Sequence, residues 1–140
     1  MNVDITDLKT VRLSQDGSAV IILDQTCLPG SEVYVSLSSA EEIWEAIYRL
    51  KVRGAPAIGI AAAYGIYVCS RQIAANTYGG FCSEFLRIKD YLASSRSTAV
   101  NLVAALDRME KVVVAHSVNP VPEIVELLRV EAEAIRAEDA

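Results

Sequence analysis

Residues 54–70 form an unbroken stretch without a charged side chain, and no other feature of the chain restricts its fold so strongly. A segment of this length lies at the lower edge of what a membrane crossing needs. Pro56, Gly59, Gly65 and the run Ala61-Ala62-Ala63 suit close packing against other protein elements better than contact with lipid. The stretch therefore reads as a buried helix of a soluble domain, from Pro56 to about Gln72, with the remaining elements wrapped around it. The chain has the material to do this: 140 residues, 52% hydrophobic and 22% charged. That is enough for one real core, and the composition excludes a disordered chain.

The flanking periodicities define an α+β fold, a small N-terminal three-stranded antiparallel sheet followed by a five-helix bundle. Residues 1–37 supply the meander. Val11-Arg12-Leu13 and the run from 19 to 23 flank Gln15-Asp16-Gly17-Ser18, and Asp-Gly between apolar runs signals a hairpin. Pro29-Gly30 makes the next turn, and Val33-Tyr34-Val35 alternates as a third strand. Residues 38–140 are helical. Ser39 with Glu42 has capping-box spacing, ahead of the stripe Ile43, Ile47 and Leu50. After the central helix, residues 77–80 read as a loop. Phe81, Phe85, Ile88 and Leu92 mark a third helix, and Ala99, Leu102, Leu106, Met109 and Val113 a fourth. Pro120 and Pro122 then punctuate the start of a fifth, marked by Ile124, Leu128 and Ile135 with a glutamate-rich outer face.

Chemistry concentrates where two of these helices begin. In Val52-Arg53-Gly54-Ala55-Pro56-Ala57-Ile58-Gly59, Gly54 frees the backbone to turn and Pro56 presets a helical first turn. The first amides of that helix lack intrahelical acceptors and carry the positive end of its dipole. Arg53 adds a planar, permanently charged fork suited to phosphate. An anion cradle and an ordinary turn with a solvated Arg53 both fit these residues. Arg96, ahead of Ser97-Thr98-Ala99, repeats the pattern. Two such arginines could share one phosphate; alternatively, Ser97 or Thr98 caps the helix and Arg96 pairs with a carboxylate.

Other chemistries are poorly served. The net charge is −5 without a run of Lys or Arg, so neither nucleic acid nor an anionic membrane is an expected partner. Three cysteines (Cys27, Cys69, Cys82) and one histidine (His116) argue against a disulfide scaffold or a zinc site and point to a reducing, cytoplasmic setting. The N-terminus reads without a secretory signal. Cys69 is expected to be buried and inert, His116 packed or solvated, and Asp24 a brace for its turn. No catalytic set assembles, and no metal ligands are expected.

Three motifs resemble the methylthioribose-1-phosphate isomerases: Leu23-Asp24-Gln25-Thr26 with Leu28-Pro29, the segment 52–59 with Ala61-Ala62-Ala63-Tyr64-Gly65, and Ser95-Arg96-Ser97-Thr98-Ala99-Val100-Asn101-Leu102. Related families are ribose-1,5-bisphosphate isomerase and the regulatory subunits of initiation factor 2B. The chain departs at Ser97, where the isomerases usually carry proline. The resemblance implies that residues 1–140 are the N-terminal domain of a two-domain, homodimeric, cytoplasmic enzyme of methionine salvage. Such an enzyme interconverts 5-methylthioribose 1-phosphate and 5-methylthioribulose 1-phosphate without a metal or organic cofactor. It further implies that Arg53, Gly54, Ala55 and Arg96 contact the phosphosugar. The family's catalytic cysteine and aspartate belong to a C-terminal Rossmann-like domain outside these residues, so the chain is expected to be inactive alone. A regulatory or phosphosugar-sensing module is the alternative, as is a ribose-1,5-bisphosphate isomerase.

Overall fold

The computed structural model describes residues 11–27, 30–49 and 54–138. Within them an antiparallel sheet of three strands, in the order β1-β2-β3, precedes five α-helices, the expected α+β class. The strands are β1 (Val11–Leu13), β2 (Val20–Leu23) and β3 (Tyr34–Leu37). Val11 pairs with Ile22 and Leu13 with Val20 across the first ladder; Val20 pairs with Leu37 and Ile22 with Val35 across the second. This register puts Val11, Val20, Ile22 and Leu37 on one buried face, as a period of two requires.

The strand edges differ from the sequence reading for local reasons. β2 begins at Val20 rather than Ala19, because the Ala19 N–H donates to the Ser14 hydroxyl (3.0 Å) and not to a ladder carbonyl. Between them Gly17 takes φ +77°, and the Asp16 carboxylate accepts from the Ser14 hydroxyl (2.9 Å) and from Ser18 N–H and Oγ (3.0 and 2.7 Å). β3 runs one residue later at its start and two later at its end than Val33-Tyr34-Val35, because Leu37 is its buried inward residue while Val33 is exposed. Pro29, expected in the turn between β2 and β3, lies outside the described residues, as does Leu50.

The helices are α1 (Ala40–Tyr48), α2 (Ala55–Arg71), α3 (Tyr78–Ala93), α4 (Val100–Ala115) and α5 (Val121–Glu138). Ser39 caps α1 by accepting from Glu42 N–H at 3.1 Å. The reciprocal half of the box is displaced by one residue, since Glu42 Oε1 accepts from the N–H of Ser38 (2.8 Å). The expected loop at 77–80 is instead a helix start. Thr77 accepts from Gly80 N–H at 3.2 Å, which draws Tyr78, Gly79 and Gly80 into the first turn of α3.

α2 is the hub. Every residue from 58 to 70 is buried, and the helix touches all four other helices as well as β1 and β2. Phe81, Phe85 and Leu92 of α3, Leu102, Leu106 and Met109 of α4, and Ile124 and Leu128 of α5 are fully buried around it. Its small residues let the neighbours in. A Cβ on Gly65 would lie 2.8 Å from Cγ2 of Ile43, and one on Gly59 would lie 3.2 Å from the carbonyl oxygen of Asn101. No described helix is long and apolar enough to cross a membrane.

Candidate functional site

The start of α2 is set by Gly54 and Pro56. Gly54 is the N-cap residue at φ +91°, ψ 134° and makes no side-chain cap. Residues with a Cβ rarely enter that left-handed region. Its carbonyl accepts the first intrahelical bond, from Ile58 N–H at 3.0 Å. The helix begins at Ala55, so Pro56 is its second residue rather than its first, still within the turn whose amides have no intrahelical acceptor. Gly54, Ala55 and Pro56 are all exposed, so this end of the α2 dipole meets solvent.

α4 begins in a different manner from the sequence reading. Residues Ser94–Arg96 form a 3-10 turn that ends α3, and the Ala99 N–H donates to the Arg96 carbonyl at 2.9 Å. The N-cap residue of α4 is Ala99, which has no side chain to offer. Ser97 and Thr98 are exposed and do not cap the helix, which removes one of the two rival readings of this motif. The other rival also fails within the described residues: no described carboxylate forms an ion pair with Arg96, although seven such pairs occur elsewhere. Arg96 is half-buried. An open cavity of about 390 Å³ lies beside this start, lined by Ser97, Thr98, Ala99, Val100, Val103, Ala104 and Asp107.

The two helix starts are neighbours. Gly59, the fifth residue of α2, faces Asn101, the second residue of α4. At 1.5 Å rise per residue, the first turns of the two helices therefore lie roughly one helical turn from their point of contact. Any Cβ at position 59 would push them apart. Of the four residues assigned to phosphosugar contact, Gly54 and Ala55 thus stand on one of these adjoining starts and Arg96 immediately precedes the other. Arg53 lies outside the described residues.

The remaining candidates have structural roles. The Asp24 carboxylate is buried and accepts from Thr26 N–H (2.9 Å) and Oγ1 (2.5 Å), bracing the 3-10 turn Gln25–Cys27. Burial pushes the Cys69 thiol up to about 12, so it carries almost no thiolate near neutrality. His116 ends α4 with Nδ1 donating to the Val112 carbonyl at 2.8 Å. Among the described residues no group of three or more His, Cys, Asp or Glu side chains is placed to hold a metal ion.

Sequence reasoning passed over two polar contacts. The buried Tyr64 hydroxyl donates to Glu133 Oε1 at 2.6 Å, tying α2 to α5. Burial first, and then this carboxylate, hold its ionisation well above the usual tyrosine range. Trp44, the chain's single tryptophan, donates from Nε1 to Ser94 Oγ at 2.9 Å. Tryptophan and tyrosine four residues apart on a helix, both off the apolar stripe, were the available signal for the latter.

Comparison with known proteins gives consistent results. The model of the initiation factor 2 subunit family matches residues 51–140. The methylthioribose-1-phosphate isomerase of Parabacteroides distasonis is 64% identical over 130 residues, covering 93% of this chain and 39% of that protein. A 5-deoxyribose 1-phosphate isomerase of Bacillus thuringiensis is 46% identical over 121 residues, covering 86% of this chain and 35% of that protein. A crystal structure of 5-methylthioribose 1-phosphate isomerase from Pyrococcus horikoshii superposes with a TM-score of 0.88 at 36% identity, covering 95% of this chain and 38% of that one. The chain spans under two fifths of the length of these relatives.

Proposed function

This chain belongs to the initiation factor 2 subunit family, and we propose that it is the substrate-binding N-terminal part of an aldose–ketose isomerase acting on 5-methylthioribose 1-phosphate. The product is 5-methylthioribulose 1-phosphate, which places the reaction in methionine salvage. The observation that carries this reading is the 64% identity to an isomerase of that name over 93% of the chain. It extends through both helix-start motifs, at residues 52–59 and 95–102.

The physical account is anion recognition. The starts of α2 and α4 adjoin at Gly59 and Asn101, and in this reading their unbonded amides and positive dipole ends share one guest, a phosphate monoester. Arg96 supplies a charged fork at one start, and Arg53 is assigned the same role at the other. Gly54 and Ala55 let the backbone approach the sugar phosphate without a bulky side chain in the way. Isomerisation also requires a positioned acid or base that moves a proton between neighbouring sugar carbons. On family grounds we assign the proton-moving groups to a further, Rossmann-like domain. We assign the protein to the cytoplasm as a homodimer on the same family grounds.

The family name itself favours one second reading, a regulatory or phosphosugar-sensing module that binds without turnover. The Bacillus relative raises a narrower alternative, 5-deoxyribose 1-phosphate as substrate. Steady-state kinetics on the isomerase-length protein separate these. Arg96→Ala should raise KM for 5-methylthioribose 1-phosphate about tenfold or more, the equivalent of a lost charge-assisted hydrogen bond of about 1.5–3 kcal/mol. The 140-residue chain alone should show no turnover. An unchanged KM in the variant contradicts the role of Arg96, and turnover by the short chain contradicts the division of labour.

A further inference from the structure

Trp44 projects from α1 beside the buried stripe of Ile43, Ala46 and Ile47, and is itself only half-buried. Its ring stacks on Tyr48 with centroids 4.8 Å apart and planes inclined by 19°, and on Tyr91 at 6.0 Å and 24°. Tyr48 and Tyr91 are 54% and 36% exposed, so the stack reaches the surface, while Trp44 packs against the edge of the core. What distinguishes it is where its members sit in the chain. Tyr48 is the last residue of α1, and the Arg53 motif begins four residues later in sequence, at Val52. Tyr91 belongs to the last turn of α3, and Ser94 opens the 3-10 turn that carries Arg96.

The turn is held by a short chain of hydrogen bonds. Ser94 Oγ accepts from Trp44 Nε1 at 2.9 Å and donates to the Tyr91 carbonyl at 2.5 Å. The buried Ser95 hydroxyl donates to the Leu92 carbonyl at 2.6 Å. Arg96 follows directly, its carbonyl occupied by Ala99 N–H. Of the bonds to Ser94 and Ser95 among the described residues, only the indole bond reaches outside α3 and its continuation. It is the hydrogen bond that ties the Arg96 turn to α1, beside the packing of the two elements against each other. A hydrogen-bonded, ring-stacked indole has few rotamers open to it, which is how a supporting residue holds a binding group in place.

We propose that Trp44 is a positioning residue: through its bond to Ser94 and its stack between Tyr48 and Tyr91, it sets the Arg96 turn against α1. Trp44 does not touch the phosphosugar. It acts through the Arg96 turn, and the inference therefore rests on the phosphosugar-binding function proposed above. Loss of the indole N–H should misplace Arg96 without removing it, weakening substrate capture while the proton-transfer step keeps its own groups.

The test is kinetic, in the isomerase-length protein with 5-methylthioribose 1-phosphate. Trp44→Phe keeps a stacked ring and removes the N–H; Ser94→Ala removes the acceptor; Ser94→Thr restores a hydroxyl. The first two should each raise KM by about tenfold with kcat kept within about twofold. Ser94→Thr should recover most of the KM. The double variant Trp44→Phe/Ser94→Ala should be no worse than either single one, because both remove the same bond. A purely structural role predicts instead lowered Tm and lowered active fraction, with KM unmoved and additive effects. Either of those results overturns the proposal. Arg96→Ala, run in parallel, separates the levels: if it leaves KM unchanged, the binding role itself fails. If it raises KM while Trp44→Phe and Ser94→Ala do not, the positioning role alone fails. An unsubstituted protein without turnover overturns both.

Discussion

Asp16 shows how one exposed side chain can organise a turn. Its carboxylate collects the hydroxyls of Ser14 and Ser18 and the Ser18 N–H, and these bonds, led by the Ser18 hydroxyl, hold its pKa down to about 2. A folded-state pKa below the unfolded value means the contribution is complete above about pH 4 and is lost as pH falls through about 2. Thermal melts of the wild type and Asp16→Ala should therefore differ by a constant amount from pH 7 to about 5, and the gap should shrink toward pH 2. A gap that does not change with pH contradicts the account. Asp-Gly announced this turn in the sequence, whereas the share taken by Ser14 did not show, because its hydroxyl replaces a ladder bond that pattern alone assigns to the backbone. Asp24 was legible in the same way, as a carboxylate just ahead of a threonine in a turn.

At the scale of elements, the central helix was the most legible part of the chain, because seventeen uncharged residues have few other places to go. Its contact geometry was not. Gly65 and Gly59 look alike in sequence, yet a Cβ at Gly65 would strike the branched methyl of Ile43 at 2.8 Å, and one at Gly59 would press on the backbone of α4. Gly79, in the first turn of α3, has nothing within 4 Å of its missing Cβ. Gly65→Ala should lower stability by about 1 kcal/mol, overpacking of about 1–3 kcal/mol outweighing the helix-propensity gain of up to about 1 kcal/mol. Gly79→Ala should be neutral or stabilising by about 0.5 kcal/mol. Urea midpoints decide this: a Gly65→Ala protein as stable as wild type shows that α1 and α2 are not closely fitted. The shifted boundaries, at 77–80 and at Ala99, share one cause. A hydroxyl residue near a helix start marks the neighbourhood of the start, and which residue caps depends on tertiary packing.

For the whole molecule, the fold brings the starts of α2 and α4 together, although the chain spaces them more than forty residues apart. The sequence displayed two arginine-bearing helix starts; what it could not display is that α2 and α4 meet at Gly59 and Asn101, since adjacency of distant segments is settled by packing. It also left Trp44 unremarked, because a surface ring stack follows neither helical nor strand periodicity. In the proposed site the glycine contact lets two dipole ends approach one anion, and the indole bond ties the Arg96 turn to α1. Both serve the one end proposed above, a phosphate site shared by two helix starts.

The most direct measurement of that claim is a crystal structure of the isomerase-length protein with 5-methylthioribose 1-phosphate bound, read at a single atom group. The account predicts that the guanidinium groups of Arg53 and Arg96 both reach oxygens of the one phosphate, at about 2.7–2.9 Å as charge-assisted bonds do. A phosphate held by neither arginine, or the two arginines turned to different sides of the domain, would contradict it.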